Sequence, residues 1–174
     1  MSNKIGKVRQ IKERPTPHDK VYTPLEVAKM LIDMTDIKET DAVLDPSKGG
    51  GVFFDNLPPC REKYFCEIDE GIDFFEFHNK VDIIISNPPY SMWNRWLEHS
   101  ISLKPRKIAY VFGMLNFTPL RLKLLYDNGY RVTEIHITTV SGWFANCVLA
   151  VFERDGKPLL SFDTIRHKIN ASPK

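Results

Sequence analysis

Apolar residues Leu25, Val27, Ala28, Leu31 and Ile32 recur at helical spacing behind Thr23-Pro24. That spacing predicts an amphipathic helix with Thr23 at the N-cap, Pro24 at the first helical position and Glu26 in the first turn, ending near Asp33 to Asp36. Ala42-Val43-Leu44 is a short apolar run stopped by Asp45-Pro46 and three glycines, the pattern of a buried strand entering a tight loop. A second strand is expected at Tyr64 to Ile68. A third runs from Val81 to Ser86, the most β-branched segment of the chain, and Asn87-Pro88-Pro89 ends it. Its continuous apolar character predicts a central, buried, parallel strand.

Beyond it, Trp93, Trp96, Leu97 and Ile101 mark a second helix, and Lys107 to Gly113 a fourth strand. Pro119 to Asp127 reads as a third helix closed at Asn128-Gly129. Tyr130 to Thr139 and Cys147 to Glu153 then form two last strands, separated by Ser141-Gly142-Trp143-Phe144. This alternation predicts one α/β domain over residues 21–174, a doubly wound, mostly parallel sheet with helices on both faces. Such sheets bind ligands outside the carboxyl ends of their strands, where Asp45 to Gly51 and Asn87 to Tyr90 would both lie.

Composition changes the picture little. With 174 residues, 43% of them hydrophobic and 26% charged, one core is affordable and a second domain is not. No run approaches the roughly 18 apolar residues of a membrane span, and Met1 to Lys7 lacks the apolar stretch of a secretory signal, so a cytoplasmic location is expected. Cys60, Cys66 and Cys147 have no metal-type spacing, so reduced thiols and no metal site are expected. The net charge of +2 is unevenly placed: residues 1–20 hold six basic and two acidic side chains, leaving the remainder at −2. This basic arm either tracks phosphates or is a solvated terminus.

Asp45-Pro46-Ser47-Lys48-Gly49-Gly50-Gly51 puts an acid at a strand end and glycines where backbone can approach a ligand closely, although a surface turn has the same composition. It is not a phosphate-binding Walker loop, because Lys48 precedes the last glycines. In Asn87-Pro88-Pro89-Tyr90 two prolines fix a rigid extended turn that offers carbonyls and no amide donors at 88 and 89.

Here the sequence resembles the class I S-adenosylmethionine-dependent amino-methyltransferases, and within them the gamma-type adenine-specific DNA methyltransferases, in which (Asn/Asp/Ser)-Pro-Pro-(Tyr/Phe) follows the fourth strand. The resemblance covers roughly Tyr22 onward and implies a Rossmann-like catalytic domain with S-adenosylmethionine as cofactor. Tyr22, Thr23 and Pro24 match the segment lining the methionine end of that cofactor, and Asp45, Gly49 and Gly51 match the glycine loop. Glu67 and the adjoining Ile68 match the acid that holds the ribose hydroxyls and its neighbour. Asp73-Phe74 match a pair whose carboxylate accepts from the adenine amino group while the ring packs on its face. The resemblance also implies that Asn87 borders the cofactor as well as the target.

The resemblance further implies direct methyl transfer to an exocyclic amino nitrogen. Asn87 and the Pro88 carbonyl would accept from the two amino hydrogens, Pro89 would hold the turn, and Tyr90 would stack on the base. A duplex base would have to be flipped out. Trp143 or Phe144 matches a second aromatic face, with core packing as the alternative.

The sequence departs from the pattern in two places. Only 16 positions separate Gly51 from Glu67, so helices there are short or missing, and no separate target-recognition domain is expected after the catalytic one. Specificity would then come from short loops plus the arm, a homodimer or a partner protein, or be low, and a phage or mobile element is a natural source. DNA is the expected nucleic-acid partner. RNA bases, a protein glutamine amide, and a catalytically inactive binding subunit are the alternatives.

Overall fold

The computed structural model describes residues 21–143 and 146–165, so the basic arm and Phe144 lie outside the described residues. Among the described residues, nine α-helices and β-strands follow one another. They are α1 (Leu25–Thr35), β1 (Ala42–Asp45), β2 (Glu62–Phe65), β3 (Ile83–Ser86), α2 (Trp93–Ser102), β4 (Lys107–Gly113), α3 (Pro119–Asp127), β5 (Tyr130–Thr138) and β6 (Cys147–Arg154). The six strands form one sheet in the order β2-β1-β3-β4-β6-β5. β1, β2, β3 and β4 are parallel, and β6 runs antiparallel to both β4 and β5.

Strand side chains alternate between the faces because successive Cβ atoms point to opposite sides of a pleated strand. Val43, Ile83, Ile85, Ala109, Val111, Leu149 and Val151 pack with Ala28, Leu31 and Ile32 of α1. Leu44, Ile84, Ile108, Tyr110, Phe112 and Phe152 pack with Trp93, Trp96 and Leu97 of α2 and with Leu122 and Leu125 of α3. Both faces are covered, which is why β3 can be apolar at every position and fully buried. The doubly wound architecture and the buried, central β3 are those expected from the sequence.

Between Gly51 and Glu67 no α-helix forms; among residues 46–82 the helical turns are three 3₁₀ pieces at 54–56, 68–70 and 74–76. Two local expectations are corrected. Pro24 occupies the N-cap of α1, and the Thr23 hydroxyl turns away to accept a hydrogen bond from the functional site. β2 starts two residues earlier than expected and ends at Phe65, so Glu67 caps the following 3₁₀ turn instead of closing the strand. Among the described residues no helix is long and apolar enough to cross a membrane.

Candidate active site

The chain leaves β1 toward β2 on one side and returns to β3 on the other, so the loops after β1 and β3 diverge and open a crevice at the carboxyl ends. Asp45 ends β1 and Ser86 ends β3. Both are fully buried, and the Ser86 hydroxyl donates to Asp45 Oδ1 at 2.8 Å. The Ser47 amide donates to the same oxygen at 3.2 Å, an Asx-type turn that starts the glycine loop. Ser47 Oγ lies 2.7 Å from Ser86 Oγ and 3.1 Å from the Asn87 carbonyl. Two serines thereby tie Asp45 to the Asn-Pro-Pro-Tyr turn. Sequence reading passed over both, although each sits one or two positions from a residue it singled out.

Asp45 Oδ2 is buried without a fully formed hydrogen bond, although the Phe54 amide also acts on this carboxyl. Burial raises the Asp45 carboxyl to about 7, outweighing the hydrogen bonds from Ser86 and the Ser47 amide that favour the charged form. Because the ordinary value is 3.8, the folded protein holds a proton between pH 4 and 7 that the unfolded chain has lost. Stability from this group therefore falls as pH rises through that window. Thermal unfolding from pH 5 to 8 should show the parent losing several degrees relative to Asp45→Asn, at about 2–4 °C per kcal/mol for a domain of this size. Parallel curves for the two proteins would remove Asp45 as the titrating group.

Glu67 joins the glycine loop to the next turn: Oε2 accepts from the Gly49 amide at 2.7 Å and Oε1 from the Asp69 amide at 3.1 Å. Each carboxylate oxygen keeps a further lone pair for a diol. Beside it, Ile68 is 59% exposed, an apolar surface at the crevice edge. Lys48 spans the same edge, pairing with Glu70 at 2.6 Å over the Phe65 ring. Tyr22 lies on the glycine loop, where a Cβ at Gly50 would stand 3.5 Å from its ring.

Gly51 has φ +82°, and a Cβ there would fall 2.4 Å from Asp55 Oδ2. Gly51→Ala should lose about 1–2 kcal/mol to the left-handed backbone alone, displace the Asp55 carboxylate, and lower the melting temperature by several degrees. Adding Asp55→Ser should recover only the part due to the contact, and an unchanged melting temperature in Gly51→Ala would refute the strain.

Asp73 Oδ1 accepts from the Phe75 amide at 2.9 Å, capping the 3₁₀ turn at 74–76. The Phe74 ring differs from expectation. It is 3% exposed and sits in the core, 4.6 Å between centroids from both Trp96 and His99, because α2 supplies it with apolar partners on the inner side. Ile68 and Ile72, not Phe74, are the apolar side chains exposed beside Glu67.

Asn87 has the most informative geometry. Its Nδ2 donates to the Val21 carbonyl and to Thr23 Oγ1, both at 3.2 Å, while its Oδ1 is buried without a partner. A backbone carbonyl can only accept, so Val21 fixes which end of the amide faces it and leaves the oxygen as the free end. Thr23 and Val21 thus orient Asn87, a link that spacing alone does not reveal. The Tyr90 ring packs against the α2-side core. Its hydroxyl is buried beside the Gly113 backbone without a fully formed hydrogen bond, and burial pushes its pKa up. Trp143 is half-buried against the α1-side core, its amide bonded to the Val140 carbonyl, which favours the packing alternative for that residue.

This fold is that of the class I methyltransferases. The chain is similar to a dimethyladenosine transferase from Plasmodium falciparum, with a TM-score of 0.61 and 17% identity over 77% of this chain and 63% of that one. It is similar to magnesium protoporphyrin IX methyltransferase from Synechocystis PCC 6803, solved with bound SAM, with a TM-score of 0.56 and 16% identity over 74% of this chain and 76% of that one. It is also similar to a tRNA m1G37 methyltransferase from M. jannaschii, with a TM-score of 0.59 and 15% identity over 79% of this chain and 52% of that one. No protein-family model matches the chain, and no curated protein matches it in sequence.

Proposed function

We propose that this protein transfers a methyl group from S-adenosylmethionine to the exocyclic amino group of adenine in DNA. The single observation that carries the reading is Asn87: a buried, unpaired carbonyl oxygen on an amide whose donors are already engaged. An unpaired buried acceptor costs about 1–3 kcal/mol and is relieved by a donor such as an amino group. The cofactor would supply a methyl group on a sulfonium. The residues present suit it: Glu67 offers acceptors for a ribose diol, Ile68 an apolar surface, and the loop from Asp45 to Gly51 close backbone approach.

The chain's own part is positioning. Asn87 Oδ1 and the Pro88 carbonyl draw the amino hydrogens to one side, which turns the nitrogen lone pair away from the base ring and toward its methyl donor. Tyr90 presents a ring face, and the prolines keep the turn from relaxing. Adenine as acceptor has further support in the likeness to a dimethyladenosine transferase, and the likeness to a tRNA m1G37 methyltransferase makes RNA the second arm of the test. Tritiated S-adenosylmethionine offered in parallel to DNA, RNA and protein should label the DNA. Label confined to RNA or to protein would replace the substrate and keep the chemistry, and label in none, with no cofactor binding at millimolar concentration, would remove the enzyme reading.

A further inference from the structure

Four oxygens lead from the end of β1 to the Asn-Pro-Pro-Tyr turn. Asp45 Oδ1, Ser86 Oγ, Ser47 Oγ and the Asn87 carbonyl follow one another at 2.8, 2.7 and 3.1 Å. Each of these three contacts takes one proton. The two hydroxyls supply one each, so a complete chain needs a third from Asp45. Oδ1 is where that proton finds an acceptor, the Ser86 oxygen, because Oδ2 lacks a fully formed hydrogen bond and the Phe54 amide acting on this carboxyl is itself a donor. A protonated Oδ1 keeps a lone pair for the Ser47 amide at 3.2 Å.

With Asp45 neutral, all the donors point one way: Asp45 to Ser86, Ser86 to Ser47, and Ser47 to the Asn87 carbonyl. Ionisation leaves two protons for three contacts. The carboxylate claims the Ser86 proton, since a charged acceptor makes the stronger bond. Ser47 must then donate to Ser86, or two hydroxyl oxygens would face each other 2.7 Å apart with no proton between them. The Asn87 carbonyl is the contact that loses its donor. It belongs to the peptide joining Asn87 to Pro88, the two acceptors of the proposed reaction, so its release loosens both.

The surroundings place this change near neutral pH. Burial raises the Asp45 carboxyl to about 7 and the Glu67 carboxylate adds to the rise, against the lowering effect of Ser86 and of the Ser47 and Phe54 amides. The Cys66 thiol and the Tyr110 hydroxyl also face Asp45. Burial pushes both well up, so both stay neutral while Asp45 titrates.

We propose that Ser47 is a positioning residue for Asn87, holding its carbonyl while Asp45 carries a proton and letting go when Asp45 gives it up. The effect on rate rests on the methylation reading above, whereas the hydroxyl chain does not, and two readouts keep them apart.

Protein isotopically labelled on nitrogen and on the aspartate carboxyl carbons is titrated from pH 5 to 9 by nuclear magnetic resonance. The Asp45 carboxyl is identified by its loss in Asp45→Asn and the Asn87 side-chain amide by its loss in Asn87→Ala. In the parent the Asn87 signal should move with the Asp45 midpoint, and kcat on DNA should fall about three- to tenfold as pH rises through it, the worth of one hydrogen bond. In Ser47→Ala the Asp45 carboxyl should still titrate, while the Asn87 signal stands still and kcat stays flat at the parent's high-pH level. Ser47→Thr keeps the hydroxyl and should restore both responses. An Asn87 signal or a rate that ignores Asp45, or that follows it equally in Ser47→Ala, would overturn the proposal. No methyl transfer with Asn87 still following Asp45 would remove the methylation reading and the effect on rate, and leave the hydroxyl chain; methyl transfer with Asn87 uncoupled would remove the chain and leave the reading.

Discussion

Asn87→Ala should lower methyl transfer by about 10²–10³-fold, the usual cost of removing one oriented hydrogen-bonding group from a developing charge, with cofactor affinity largely retained. The assignment follows from the direction of the amide: Nδ2 is held by Val21 and Thr23, and Oδ1 is the end left over. The variant also gives up two partly buried hydrogen bonds, so a stability loss of about 1–2 kcal/mol accompanies the kinetic one. Asn87→Asp sharpens the test. A carboxylate would set an acceptor against the Val21 carbonyl 3.2 Å away, so in this chain the variant should fare no better than alanine unless the 21–23 segment moves. An Asn87→Ala protein that folds, binds cofactor and keeps the parental rate would reduce the tetrapeptide to a structural turn.

Tyr90→Ala should cost about 10–100-fold in activity, from stacking worth about 1–3 kcal/mol per base, whereas Tyr90→Phe should stay within a few-fold of the parent. The pair separates ring from hydroxyl. Because the hydroxyl is buried without a good partner, phenylalanine removes a poorly satisfied polar group and should be neutral or stabilising. Steady-state rates together with thermal unfolding read both effects. A Tyr90→Phe protein as inactive as Tyr90→Ala would give the hydroxyl a chemical role that its surroundings do not suggest.

The sheet was legible in the sequence because its signal is strong and local. Ile83-Ile84-Ile85 cannot be solvent-exposed on either face, and Asn87-Pro88-Pro89 must end the strand, so β3 and the rim were readable together. The least legible stretch was 52–82, where 3₁₀ turns of three residues carry no periodicity to detect. Thr23 misled because its hydroxyl suits an N-cap equally well; only the fold brings Asn87, 64 positions away, close enough to claim it. Phe74 misled for the converse reason, since the motif assigns the ring to a ligand while Trp96 and His99 bury it. The serine bridge from Asp45 to Asn87 depends on β1 and β3 being neighbours, a topological fact that no spacing encodes.

The most direct measurement is the chemical identity of the methylated product. DNA incubated with the protein and tritiated S-adenosylmethionine, then digested to nucleosides and separated, should carry its label in deoxyadenosine methylated on the exocyclic nitrogen, and the Asn87→Ala protein run beside it should leave that peak nearly empty. Label in a cytosine nucleoside, or an adenine peak of equal size from the Asn87→Ala protein, would contradict the account.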